Sequence, residues 1–277
     1  SAITVLFIWG LAKRYFDSSV SLILVLLWAC SPFIVSLDRI AWNPNIMMLS
    51  ALLVSMPLMK KTALSFVDFS LVFMGIFLGY QAHFSGFLLM PLLSFSLALR
   101  YLVSIDTFKT ALTTFVFGIA GFVSSLLPTV LFDYRHEWSN LHGFLSLVEN
   151  KDQVSTYLAI ARFPEKLFIV LETIGKIILG PTVGFKLLVV TGFFLVSFFV
   201  YLSSRVRTWK ELRKIGGNVQ SLRQMFRAGI VLGWILGVVF AFGLYRESTP
   251  EYYFLLLIPV LLILIATVLK KVLSTSQ

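Results

Sequence analysis

Cysteine and charge are what this chain has least of. Its one cysteine, Cys30, lies in an apolar block, so no internal disulfide can form and no cysteine-based metal site is expected. Charged residues fill 13% of the 277 positions, against about 25% in soluble domains. No glycine-rich phosphate loop, Gly-x-Ser-x-Gly elbow or His-Glu-x-x-His pair occurs, which argues against nucleotide-driven pumping. Ionisable residues are nearly missing from the centres of the apolar blocks, where each would cost on the order of 3 kcal/mol, and proton-coupled transport needs some of them there.

What is present is apolar. Hydrophobic residues make up 58% of the chain and Phe alone occurs 27 times. The apolar residues come in blocks near the roughly 20 residues that cross a hydrocarbon core of about 30 Å. A lipid-exposed backbone must satisfy its own hydrogen bonds, and the blocks are too long and too uniformly apolar for barrel strands. The sequence therefore predicts an all-α polytopic transmembrane bundle, one transmembrane domain over 1–277 with about nine spans. These fall near 1–12, 19–36, 44–59, 65–81, 84–100, 109–131, 182–204, 228–245 and 252–269. The chain opens Ser1-Ala2-Ile3 with no initiator Met and no basic lead-in of a signal sequence, and reads as trimmed at its N-terminus with a cut first span.

The net charge of +10 is not a nucleic-acid signature, because the basic residues sit in short links without a recognition motif. They sort the links instead. Lys13-Arg14, Lys60-Lys61, Arg100 with Lys109, the stretch 205–227 and Lys270-Lys271 fall at every second connection. Short links rich in Lys and Arg stay in the cytoplasm, so 37–43, the turn at 82–83, 132–181 and 246–251 are expected outside. The 132–181 segment carries weakly amphipathic stretches at 153–162 and 165–179, suited to interfacial helices.

The outer links hold the polar residues that need explaining. Asp38-Arg39 precedes Trp42-Asn43-Pro44-Asn45, where Asn43 and Pro44 suit a helix start as well as a site, and Arg39 suits a phosphate, a headgroup or Asp38. Gln81-Ala82-His83 forms a turn too short to leave the membrane surface; His83 fits a hydrogen-bonded bend, a phosphate contact or a metal ligand. Tyr134-Arg135-His136 follows Pro128, and Arg246 precedes Tyr252-Tyr253; tyrosines at such positions also mark headgroup depth. All four groups fall on one side once the basic links fix the orientation. A cavity lined by Arg, His, Tyr and amides at the lipid boundary suits a lipid-phosphate headgroup joined to a hydroxyl-rich sugar.

Four stretches carry a resemblance: SPFIVSLDRIAWNPNIM, GYQAHFSGFLLMPLL, LLPTVLFDYRHEW and ESTPEYYFLLLIPVL. In order and character they resemble the GT-C glycosyltransferases, in the branch of protein mannosyltransferases and aminoarabinose transferases (glycosyltransferase family 39-like). The resemblance implies sugar transfer from a polyprenyl-phosphate-linked donor to a lipid, glycan or protein acceptor on the extracytoplasmic face of a plasma (inner) membrane. In that reading Arg39, His83, Arg135, His136 and Arg246 attend the phosphate, Tyr252 and Tyr253 the headgroup or acceptor, and Asn43, Gln81 and Tyr134 line the site. No cofactor is assigned, and a divalent metal is left open. The acidic catalytic residue of the family lies in its first outer loop, upstream of this sequence. A transporter or flippase of a lipid-linked saccharide would use the same side chains, but it would need polar residues continuing across the bilayer.

Overall fold

The computed structural model describes residues 2–40, 43–139, 141–143, 145, 156–180, 192, 218–244 and 250–275, and among these there is no strand. The helices are α1 (Ala2–Tyr15), α2 (Ser18–Cys30), α3 (Pro32–Asp38), α4 (Ile46–Leu58), α5 (Phe66–Ala82), α6 (Leu89–Leu102), α7 (Phe108–Arg135), α8 (Thr156–Leu179), α9 (Asn218–Gly243) and α10 (Ile258–Thr275). Three 3-10 turns, Asn43–Asn45, Phe84–Leu88 and Glu251–Leu257, lead into α4, α6 and α10.

The bundle is built around α4. Its sequence IMMLSALLVSMPL is apolar on every face, and such a helix belongs in the interior. Every residue from Ser50 to Leu58 is buried. Helices α5, α6 and α10 pack around it, and the Ser50 hydroxyl donates to the Gly75 carbonyl at 2.6 Å where α4 and α5 come closest.

Helix α7 shows the solvent these helices were built for. Its buried positions are Thr114, Gly118, Gly121, Ser125 and Asp133, mostly small residues three or four apart, while Val116, Val123 and Leu127 are 52%, 57% and 59% exposed. A Cβ on Gly121 would stand 2.4 Å from the Phe73 carbonyl of α5, so the two backbones meet at the glycine. Small residues inside and large apolar ones outside are the pattern of a helix that faces lipid. In water the same face would be a large apolar patch.

Among the described residues, four helical stretches are long and apolar enough to cross a membrane: Phe84–Leu102, Phe108–Arg135, Met225–Gly243 and Tyr252–Ser274. A fifth is gained if α2 and α3, bent by 59° at Ser31, form one broken span. The expected nine are not reached on length alone. Asn43–Leu58 and Phe66–Ala82 are apolar but at 1.5 Å per residue reach only about 25 Å, short of a 30 Å core. The block 182–204 lies outside the described residues apart from residue 192.

Two further boundaries differ from the sequence reading. Helix α7 runs through Pro128 to Arg135 rather than stopping near 131, and ends where Glu137 and Trp138 take positive φ values of 56° and 60°. The two amphipathic stretches of the long segment join into the single helix α8. Its Lys166, Val170, Thr173, Ile174 and Ile177 are buried at helical spacing, where it packs on α3 and α9.

Candidate functional site

The ends of the bundle divide the polar residues into two sets. Helix α5 carries Asp68 in its first turn and is capped at its other end by His83, about 22 Å away. Around Asp68 gather Arg14, Lys60 and, on neighbouring elements, Arg100, Arg227 and Lys270. Around His83 gather the three 3-10 turns, with Glu251–Leu257 packed against the other two.

The turn after α5 fixes the His83 ring. His83 N–H donates to the Gly79 carbonyl at 3.2 Å and Gly86 N–H to the His83 carbonyl at 2.9 Å. A Cβ on Gly86 would lie 2.4 Å from the Gly79 oxygen, so the chain folds back on α5 only with glycine there. His83 Nδ1 accepts from Ser85 N–H at 3.1 Å, with the Ser85 hydroxyl at 2.9 Å. A backbone N–H can only donate, so the neutral ring carries its proton on Nε2. Burial pushes the His83 pKa below its ordinary value, so the group offers an N–H rather than a charge.

Two tyrosines from far along the chain complete the cluster. The His83 ring meets Tyr252 edge-on at 5.3 Å between centroids and Tyr253 at 4.8 Å, and the two tyrosines stand 4.9 Å apart at 79°. Phe242 of α9 backs Tyr253 at 5.4 Å. An imidazole N–H beside two aromatic rings forms a partly buried platform suited to a polar group joined to a ring with apolar faces.

Other expected residues lie near it or apart from it. Asn43 is exposed in the first 3-10 turn, which packs against the turn of Tyr252 and Tyr253. It does not cap α4; the residue at that position is Asn45, and its side chain makes no cap bond there. Instead Asn45 Nδ2 donates to the Leu37 and Ile40 carbonyls at 2.6 and 2.7 Å, tying the end of α3, with the exposed Arg39, to the platform. Sequence reading passed over Asn45 and Ser85 as site residues, although both lie inside the quoted motifs. Gln81 donates to the Ser125 carbonyl and so joins α5 to α7.

Tyr134, Arg135 and His136 stand apart. They are exposed, Tyr134 meets Trp138 edge-on at 6.3 Å, and His136 stacks on Phe132 at 4.0 Å. Ten residues beyond Ser125, Arg135 lies about 15 Å further along α7 than the level of Gln81. Arg246 is outside the described residues. Among the described residues, no group of three or more His, Cys, Asp or Glu side chains could hold a metal ion.

The fold and this end of it define a helical membrane protein with a partly buried polar and aromatic site at one end of its bundle. Residues 1–129, a little under half of the chain, match the family model for dolichyl-phosphate-mannose-protein mannosyltransferase, a GT-C-type glycosyltransferase domain. The match covers Arg39, Asn43, Gln81 and His83 and agrees with the resemblance read from the motifs. That family implies glycosyltransferase activity with lipid-linked sugar donors. No curated protein and no solved structure matches the chain.

Proposed function

We propose that this protein transfers a sugar from a polyprenyl-phosphate-linked donor to a lipid, glycan or protein acceptor on the extracytoplasmic face of a plasma (inner) membrane. The observation that carries the reading is the His83, Tyr252 and Tyr253 platform, which stands at the end of the bundle away from the cations of the basic links. With those cations in the cytoplasm the platform faces outward, in a topology of about nine spans with α8 lying along the outer interface. Tyr252 and Tyr253 take the C–H faces of the sugar, and His83 Nε2–H donates to a phosphate oxygen. Arg39 and Arg246 supply the charge that holds the phosphate as it leaves, with Asn43 and Gln81 beside them; Tyr134, Arg135 and His136 meet the acceptor side.

The test is transfer of radiolabelled sugar, and photocrosslinking to the donor, in membranes carrying the intact chain. His83→Ala and Arg39→Ala should each lower donor crosslinking and transfer by about tenfold or more at unchanged levels of folded protein, in proportion to a hydrogen bond to a charged group of about 1.5–3 kcal/mol, and Tyr253→Ala, which removes a sugar-facing ring, should lower both as well. Wild-type crosslinking in all three variants would remove the platform from the reading. Firm donor binding with no transfer to any acceptor would favour a transporter of the same lipid.

A further inference from the structure

The opposite end of the bundle holds a second concavity. A cavity of about 680 Å³ lies where α2, α4, α9 and α10 end, within the size range of small-molecule sites. Its lining has two halves. One is apolar, from Val20, Met59, Val231, Ile263 and Leu264. The other carries Lys61, Arg227, Lys270 and Lys271, against a single carboxylate, Asp17, among the described lining residues.

Two of the four cations, Arg227 and Lys270, are held in place by backbone carbonyls and by Asp17. Arg227 donates from Nε to the Met59 carbonyl at 2.7 Å and from Nη2 to the Tyr15 carbonyl at 2.9 Å, with its guanidinium 5.0 Å from the Phe16 ring centroid. Lys270 Nζ stands 2.9 Å from Asp17 Oδ2. A positive field over a concave wall with apolar walls beneath it selects an anion with an apolar tail. A small soluble anion would leave the apolar half wet, and a neutral acyl chain would leave the cations facing hydrocarbon.

We propose that this cavity binds an anionic phospholipid of the leaflet at the basic end, with its phosphate among Lys61, Arg227, Lys270 and Lys271 and its first methylenes along Val231, Ile263 and Leu264. The site is independent of sugar transfer, because Lys270 lies roughly 27 Å from Tyr252 along the same helical stretch. Occupancy would fasten α9 and α10 to α2 and α4 where their side chains leave a gap. Loss of lipid binding with donor crosslinking intact, or the converse, separates the two sites.

The experiment is native mass spectrometry of the intact protein in detergent, titrated with phosphatidylglycerol or with phosphatidylcholine of the same chain length. Wild-type protein should retain phosphatidylglycerol about tenfold better, as two or more cations near a lipid phosphate allow. In Lys61→Gln/Lys271→Gln the two lipids should bind nearly alike. Thr267→Trp, whose native hydroxyl donates to the Ile263 carbonyl one turn back in its own helix at 2.7 Å, fills the cavity and should remove one phosphatidylglycerol per chain while leaving annular lipid in place. Thermal unfolding checks that each variant is folded; should the double variant not fold, Thr267→Trp decides. Equal binding of both lipids to the wild type would overturn the proposal. So would an unchanged phosphatidylglycerol count in folded Thr267→Trp, or displacement of that lipid by millimolar inorganic phosphate, which would make this a soluble-anion site.

Discussion

The end of the bundle around Asp68 and the end around His83 are joined by the same helices, yet they are held by different forces. At the first, Asp68 is fully buried and accepts from the Tyr15 hydroxyl at 2.7 Å, from Lys60 at 2.6 Å and from the Ser65 N–H and hydroxyl at 2.7 Å each. Beside it the buried Arg100 donates to the carbonyls of Leu58, Lys60 and Thr62 and to Asp106. At the second, ring packing and short backbone turns do the holding. Charge networks out of water tolerate little displacement, because each ion left without its partner is costly. Packed rings and short 3-10 segments tolerate more. A locked end and an adaptable end suit a protein that must admit a bulky headgroup on one side only, since binding residues belong on loops set by a rigid scaffold.

The sharpest way to break this comparison is at Arg100. Arg100→Met leaves Asp106 buried beside the Leu64 N–H without its cation and strips a donor set from three carbonyls, one at the end of α4 and two in the link after it. The loss should be about 3–5 kcal/mol, the range for removing one partner of a buried pair, and most of the protein should fail to reach the folded peak in detergent chromatography. A variant that folds as well as the wild type would mean that this end is not locked. The smaller counterpart at the other end is Gly86→Ala. Its Cβ would meet the Gly79 oxygen and, at 2.8 Å, the Tyr80 nitrogen, so the turn must shift. The expected cost is about 1–3 kcal/mol, with donor crosslinking reduced because His83 moves relative to the tyrosines. Donor crosslinking unchanged despite the stability loss would detach the turn from the site.

Much of this division was legible in the sequence, for reasons that do not depend on detail. Apolar blocks must be helices in lipid, and alternating Lys and Arg links must share an end, so the convergence of Arg14, Lys60, Arg100, Arg227 and Lys270 followed from charge order alone. What charge order cannot see is partnership. Arg100 reads as a loop cation and is a buried staple, because its acceptors come from a link some 40 residues earlier. The bend at Ser31 and the bridging Asn45 likewise depend on where other elements stand. Tyr134, Arg135 and His136 share the outer side with His83 by the orientation of the basic links, but side alone does not give depth, and the helix that runs to Arg135 sets them about 15 Å beyond the level of Gln81. One signal was available and unread: Gly118, Gly121 and Ser125 stand three and four apart, the spacing of a close helix contact.

A milder probe of the adaptable end is Tyr253→Leu. It removes the one ring paired with His83 at 4.8 Å and with Phe242 at 5.4 Å while keeping an apolar side chain. Aromatic pairs contribute about 0.5–1.5 kcal/mol beyond their area, so a loss of about 1 kcal/mol in thermal unfolding is expected. A loss as large as that of Arg100→Met would erase the contrast between the ends.

The smallest effect expected is on pH dependence, and it tests the charge state on which the comparison rests. Burial holds the His83 pKa below its ordinary value, and among the described residues the groups that face the ring are the Ser85 N–H and hydroxyl and the rings of Tyr252 and Tyr253. In the unfolded chain the imidazole takes up its proton near pH 6.5, while the folded protein resists it until the pH is lower. The unfolded state therefore binds more protons in that window, and stability rises with pH across it. The contribution is complete above the ordinary histidine pKa and is lost as the pH falls through the folded value. In His83→Gln this part of the slope should disappear, so thermal unfolding of the wild type and the variant, measured between about pH 5 and pH 8, should diverge toward the alkaline side. Parallel curves would mean that His83 titrates in the folded protein as it does in the unfolded chain, and would remove burial of the ring as the source of the slope.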